Sequence, residues 1–393
     1  MKTLILNCGS TSIKFKLFDR KYNALSEGMV EKIGEKTSKF YYKTCKHNIK
    51  KEVKASNHRA GLGFIIKYLT NEGSGVIENV KEVRAVGHRV VHGGEISRSV
   101  VINNKIKRII KNNIKLAPLH NPHNLEGIEI AQKYFLQAMH VAVFDTAFHQ
   151  SLPEKAHVYA LPYKLYQKYK IRRYGFHGIS HQYVAERAAK IIGKPFNKIK
   201  IISCHLGAGS SITAINHGQS VDTSMGFTPL EGLVMATRTG DFDPAIIFYL
   251  QSELKMKSTE IEQLVNNKSG ILGLSGKSRD MKIILKNRNN NSKCKLALDV
   301  YCYRVKKYIG AYLAIMGGLD ALVFTAGMGE NAPVVRSLIC KNLDHVGIKL
   351  NAKQNNQAIG VEKIINGPGV AIKVLVIPTD EEKMIAIETV KLM

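Results

Sequence analysis

Residues 200–215 read KIISCHLGAGSSITAI: an apolar run, a turn of glycine and serine, and a second apolar run. Residues 3–18, TLILNCGSTSIKFKLF, follow the same design. Two such runs joined by a Gly/Ser/Thr turn predict an antiparallel hairpin. Strands are expected at Thr3–Leu6 with Ile13–Phe18, and at Lys200–Cys204 with Ile212–Ile215. Glycine lets the turn's backbone N–H groups converge, so each hairpin can seat an anion. The chain has 393 residues, too many for one core. Two copies of one hairpin, one in each half, predict a duplicated α/β protein.

Outward from the hairpins, Val83–Val86 and His140–Phe144 read as buried strands. Pro122–Phe135 reads as a helix, with Leu125, Ile128, Ala131 and Phe135 at helical spacing; Ile179–Ile192 reads as another, ended by Gly193. Asp320–Thr325 is expected as a strand entering the loop Ala326–Asn331 and a helix from Pro333. Ile372–Ile377 is expected as the last strand, followed by an amphipathic C-terminal helix. Lys286–Lys295, rich in Asn and Lys, reads as a mobile surface loop.

Composition narrows the class. Hydrophobic residues make up 45% and charged residues 23%, which suits a globular chain and excludes a mostly disordered one. No uncharged apolar run approaches the roughly 20 residues of a membrane span, and the start of the chain lacks a signal-peptide pattern. A soluble, cytoplasmic protein is expected, with no membrane association. The six cysteines at 8, 45, 204, 294, 302 and 340 include no CxxC pair, so they are read as reduced thiols outside any zinc site. Lys and Arg outnumber Asp and Glu 58 to 31, a net +27. The lysines are spread along the chain rather than gathered in one stripe. The excess therefore implies attraction for small anions more than a nucleic-acid surface.

Chemistry concentrates in a few segments. Asn7–Ser12 with Lys14, His205–Ser211 and Gly327–Asn331 are candidate phosphate or nucleotide loops, although none matches the GxxxxGK[ST] or GxGxxG pattern. Arg89 and Asp145 sit where strands end, His177 sits just before a helix, and Arg238 lies in a Gly/Thr-rich stretch. Guanidiniums bind carboxylate and phosphate oxygens bidentately. Singly each residue could be an ordinary ion pair or core histidine; as a set they suit phosphoryl transfer to an anionic acceptor.

NCGSTSIKF, GHRVVHGG, APLHNP, VFDTAFH, RRYGFHGISH, HLGAGSS, DTSMGFTPLEGLVMATRTGDFDP, FTAGMGENA and IPTDEE together resemble the acetate kinase family over essentially the whole chain. The resemblance implies membership of the acetate and sugar kinase, actin and heat-shock chaperone superfamily. It implies two duplicated ribonuclease-H-like domains with a nucleotide cleft between them. The expected boundaries are 1–147 plus 383–393 for the first domain and 148–382 for the second, nucleotide-binding one. Asn7 and Glu381 would hold Mg²⁺, or Mn²⁺ in its place. Ser10, Ser12 and Lys14 would face the phosphates. His205, Leu206, Gly207, Ala208 and Gly209 would line the phosphate path. Lys277, Ser278 and Arg279, with Gly327, Met328, Gly329, Glu330 and Asn331, would meet the rest of ATP or ADP. Arg89 would bind the acetate carboxylate, and Val91, Leu119, Phe176 and Pro229 its methyl group. Asp145, His177 and Arg238 would be catalytic. A homodimer is also implied.

The physics agrees with those roles. Acetate is ionised at neutral pH, so no strong base is needed. The obstacle is bringing it up to an anionic γ-phosphoryl group, which cations relieve. Asp145 then reads as orienting Mg²⁺, its water or an arginine rather than taking a proton. The chain departs from the family's usual residues at three places. Ala208 stands for Asn, removing a hydrogen bond worth on the order of 1 kcal/mol. Gly276-Lys-Ser-Arg279 stands for Ser-Asp-Phe-Arg, losing a carboxylate and an aromatic. Asp380 stands for Asn. The leading expectation is an acetate kinase giving acetyl phosphate and ADP. A propionate or other short-chain acyl kinase is the alternative within the family; a silent nucleotide binder and a nucleic-acid binder lie outside it.

Overall fold

Both hairpins form. In the computed structural model, which describes Met1–Met393, β1 (Lys2–Cys8) pairs antiparallel with β2 (Ser12–Phe18), Asn7 facing Lys14. The Gly9 amide donates to the Ser12 carbonyl at 2.8 Å and closes the turn. The chain divides into two compact units, Met1–Gln150 with Asp380–Met393, and Ser151–Thr379. Glu381 therefore goes with the first unit.

The first unit continues with β3 (Ala24–Glu31), β4 (Ser38–Thr44), β5 (Asn48–Val53), β6 (Val83–Val90), β7 (Val100–Val101) and β8 (Met139–Phe144). They form one eight-stranded sheet in the order β5-β4-β3-β2-β1-β6-β8-β7. β1 is apolar on both faces because both are covered. Leu4 and Leu6 pack with Leu62 and Ile65 of the helix His58–Leu69 and Ala131 of the helix Asn121–Tyr134. On the other face, Ile5 and Gly87 meet the final helix, Glu381–Val390. A side chain at Gly87 would collide with Thr389 and Ile385, so glycine there lets that helix lie directly on β6. Asp380 starts the helix, its carboxylate accepting from the Lys383 amide at 3.1 Å.

The second unit contains β9 (Lys200–Leu206), β10 (Ser210–Asn216), β11 (Gln219–Thr223), β12 (Ala321–Thr325), β13 (Lys363–Ile364) and β14 (Lys373–Val376). Its six-stranded order is β11-β10-β9-β12-β14-β13. Strand for strand this matches β3-β2-β1-β6-β8-β7: two antiparallel pairings, two parallel ones, then an antiparallel edge. The fold is the duplicated ribonuclease-H-like arrangement. A long helix, Ser292–Met316, buries Leu298, Cys302, Val305 and Ile309 in the core of this unit.

Two local expectations are corrected. Ala326–Asn331 is a short helix, not a loop. Lys286–Lys295 is mostly the end of one helix, Met281–Asn287, and the start of the Ser292 helix, where the Asn291 side chain accepts from the Cys294 amide at 2.9 Å. All six cysteines are free thiols, Cys45 alone among them exposed. No helix is long and apolar enough to cross a membrane.

Candidate active site

In the first unit the site grows from the ends of parallel strands. Arg89, near the end of β6, donates through Nε and Nη2 to the two Asp145 oxygens at 3.1 and 2.8 Å. Asp145 follows β8, and its side chain is only 3% exposed. The remaining Arg89 nitrogen, Nη1, lies 3.4 Å from Glu381 Oε2. Burial alone would lower the pKa of the guanidinium, but Asp145 and then Glu381 outweigh it and the net shift is upward. Burial also raises the pKa of Glu381; Arg89 opposes the rise, while Asp145 and Glu382 reinforce it. Two carboxylates thus hold one fixed cation, with Glu382 adding negative charge from further off. An oxygen donor set with surplus negative charge suits a hard divalent ion such as Mg²⁺. The amide oxygen of Asn7, half-buried on β1, is of the same kind.

Asparagines tie the first turn to this strand end. Asn124 accepts from the Val91 amide at 3.1 Å and donates to the Cys8 carbonyl at 2.8 Å. Asn121 accepts from the His92 amide at 3.0 Å and returns a bond to its carbonyl at 2.9 Å. Val91 is buried, whereas Leu119, expected to line the methyl pocket with it, is 68% exposed. Ser10 and Lys14 are exposed and Ser12 is half-buried, on or beside the turn.

The second unit assembles imidazoles and an arginine around the other turn. His177 begins the helix Gly178–Ile192 with a left-handed backbone, φ 58°, a conformation costing a non-glycine residue on the order of 1–3 kcal/mol. Its ring stacks on His205 at 4.2 Å between centroids, and Nδ1 lies 3.0 Å from Ser211 Oγ. His205 Nδ1 is 2.8 Å from Ser180 Oγ, which also reaches Thr379. A side chain at Gly209 would stand 3.4 Å from His177 Cε1 and 3.7 Å from Arg238 Nη1, so turn, imidazole and guanidinium share one space.

Arg238 differs from Arg89 in its company. Its Nη1 donates to the Pro229 carbonyl at 3.2 Å and approaches the Met235 sulfur at 3.7 Å; it has no carboxylate partner. Burial lowers its pKa. The irregular segment that carries it is pinned from outside. Arg173 Nη1 donates to the carbonyls of Thr223, Ser224 and Met225, and its other end to Glu231, which Tyr159 also holds. Arg304 donates to the carbonyls of Gly232 and Asp241.

Beside Arg238 opens a cavity of about 680 Å³, within the range of small-molecule sites. Gly207, Ala208, Arg279, Gly327, Met328 and Asn331 line it. Lys277 and Ser278 do not: Lys277 donates to Asn287 at 2.9 Å and Ser278 accepts from the Asp280 amide. The Glu330 carboxylate is occupied within the fold, accepting from the amides of Ala326 at 2.7 Å and Thr379 at 3.0 Å. Gly329 is buried against β12. Sequence reading did not single out Arg173, Glu231, Ser180 or Asn124. A signal existed for the first three, which lie in the quoted segments.

Residues 2–387 match the model of the acetokinase family. An acetate kinase of Dictyoglomus turgidum is 50% identical, with all of this chain and 97% of that protein aligned. The crystal structure of Porphyromonas gingivalis acetate kinase superposes with a TM-score of 0.95 at 43% identity, covering 100% of this chain and 99% of that one. A propionate kinase from Francisella tularensis superposes at 0.93 and 41% identity, each chain fully covered. Matched end to end in sequence and in fold, the chain belongs to the acetokinase family.

Proposed function

We propose that the chain is an acetate kinase, reversibly transferring the γ-phosphoryl group of ATP to acetate to give acetyl phosphate and ADP. The observation that carries this reading is Arg238, a partly buried guanidinium without a carboxylate partner, beside a glycine turn and a nucleotide-sized cavity. Such a cation is costly to keep unless an anion arrives.

The roles follow from the contacts. Arg89 has committed Nε and Nη2 to Asp145, so the acceptor carboxylate would share Nη1 with Glu381, which lies 3.4 Å from it. Asp145 therefore acts by orienting an arginine. Val91 and Phe176, both buried, would flank the methyl group, with Pro229 beside Arg238. Arg238 and His177 would stabilise charge on the equatorial oxygens of the phosphoryl group. The His205–Gly209 turn would present its backbone amides to the phosphates. Glu381 and Asn7, with Asp145 near by, would hold Mg²⁺, which when bound neutralises phosphate charge. The rest of the nucleotide would lie against Gly327, Met328, Asn331 and Arg279. Purified protein with ATP, Mg²⁺, acetate and hydroxylamine should yield acetyl hydroxamate; none with any divalent metal would sink the proposal.

A propionate preference has support in the propionate kinase likeness. One methylene changes binding by only about 1–3 kcal/mol, so kcat/KM for acetate, propionate and butyrate decides between them. A cytoplasmic homodimer belongs to the same reading. Ile246, Phe248, Tyr249 and Leu254 leave apolar surface exposed on the second unit, and light scattering should return the mass of two chains.

A further inference from the structure

His58 opens the helix His58–Leu69, while His123 and Glu126 stand one turn apart on the helix Asn121–Tyr134 packed against it. Each offers one ligand atom, and the three atoms lie within 4.8 Å of one another. His58 Nδ1 is 3.5 Å and His123 Nδ1 3.9 Å from Glu126 Oε2. The two rings lie 5.5 Å apart and nearly parallel. His58 is buried; His123 and Glu126 are partly open to solvent.

The orientation of His58 gives this cluster its meaning. Its Nε2 is 2.7 Å from the Gly9 carbonyl oxygen. A carbonyl only accepts, so Nε2 carries the hydrogen, and in a neutral imidazole Nδ1 is then a lone pair. That lone pair faces a carboxylate oxygen, which also only accepts. Two acceptors face each other, and a cation between them satisfies both. The Nε2–H to backbone carbonyl bond is also what orients a metal-bound imidazole and raises its basicity.

We propose that His58, His123 and Glu126 form a transition-metal site for Zn²⁺ or a chemically similar ion such as Co²⁺. Two imidazoles and one carboxylate make a three-ligand set with room for water in a fourth position, a set that favours these ions over Mg²⁺. None of the three residues is assigned to the kinase reaction. Because His58 holds the Gly9 carbonyl, occupancy would stiffen the Asn7–Ser12 turn.

Co²⁺ titrated into the full chain in excess Mg²⁺ tests this through its visible absorption. A band should appear, saturate at one ion per chain and vanish on adding Zn²⁺. His123→Ala and Glu126→Gln should each weaken binding at least about tenfold while the melting temperature without metal stays unchanged, and Glu381→Gln should leave the band intact. Absence of a band beyond that of the hydrated ion, as a protonated His58 paired with Glu126 would give, overturns the proposal. So does a band that survives His123→Ala or disappears with Glu381→Gln.

Discussion

The two units share a strand order yet treat their arginines in opposite ways. Arg89 is locked between Asp145 and Glu381 in a site with more negative than positive charge. Arg238 rests on a carbonyl and a thioether. One site is arranged around oxygen donors and a tethered cation, the other around a cation with no counter-charge. Duplication supplied the scaffold, and the residues at the strand ends and in the loops gave one half clustered carboxylates around its arginine and the other an arginine with no carboxylate partner.

The widest separation should come from removing the arginines. Arg238→Ala should lower kcat by about 10³-fold or more, as loss of a transition-state arginine does. Its melting temperature should hold or rise, since an uncompensated cation has gone. A rate within tenfold of the parent would show that Arg238 is misassigned. Arg89→Met should instead cost stability, about 3–5 kcal/mol in urea unfolding, because Asp145 is left charged and buried; adding Asp145→Asn should recover much of it. Equal stabilities for Arg238→Ala and Arg89→Met would erase the contrast between the sites.

Acid should sharpen it further. Burial lowers the pKa of His92 to about 4 and shifts His88 and His140 the same way, all three in the first unit. A depressed folded-state pKa means that the unfolded chain takes up the proton first. The stability from a neutral buried His92 is therefore present above about pH 6.5 and lost as pH falls toward 4, amounting to about 3 kcal/mol at the end. Calorimetry at pH 7 and pH 5 should show the decline, and His92→Gln should flatten it. The smallest effect belongs to the nucleotide side: Ala208→Asn should improve KM for ATP by up to about fivefold, one net hydrogen bond. No change would mean that the turn binds through its backbone amides alone.

Both hairpins, the parallel strands and the helix before Gly193 were legible because apolar runs and glycine turns declare themselves locally. β5 was not, since its Lys and Glu residues lie on a sheet edge largely open to water and resemble solvated loop; β3 and β4 were not singled out either, although β4 alternates buried Phe40 and Tyr42 with more open residues. The short helix at Ala326 was hidden by two glycines, which weaken any helical pattern. In the site, strand ends exposed Arg89 and Asp145, but nothing local told that Glu381 would close on Arg89 from the far end of the chain. Leu119 was read as lining and is open; Glu330 was read as facing nucleotide and holds Ala326 and Thr379. Local pattern names the polar side chain, and tertiary partners decide where its hydrogen bonds go.

Gly87 and the helix it accommodates also set a schedule for biosynthesis. On the ribosome, β6 is finished early, yet its partner helix, with Glu381 at its first turn, emerges only after Thr379 and the whole second unit. Until then the nascent first unit carries an uncovered apolar strip where Met384, Ile385 and Ala386 will lie, a surface for chaperones to shield. A message truncated before that helix would yield a chain lacking both the cover and one of the carboxylates facing Arg89, so the shielding of the sheet and the charge balance around Arg89 are completed together by the same ten residues of helix.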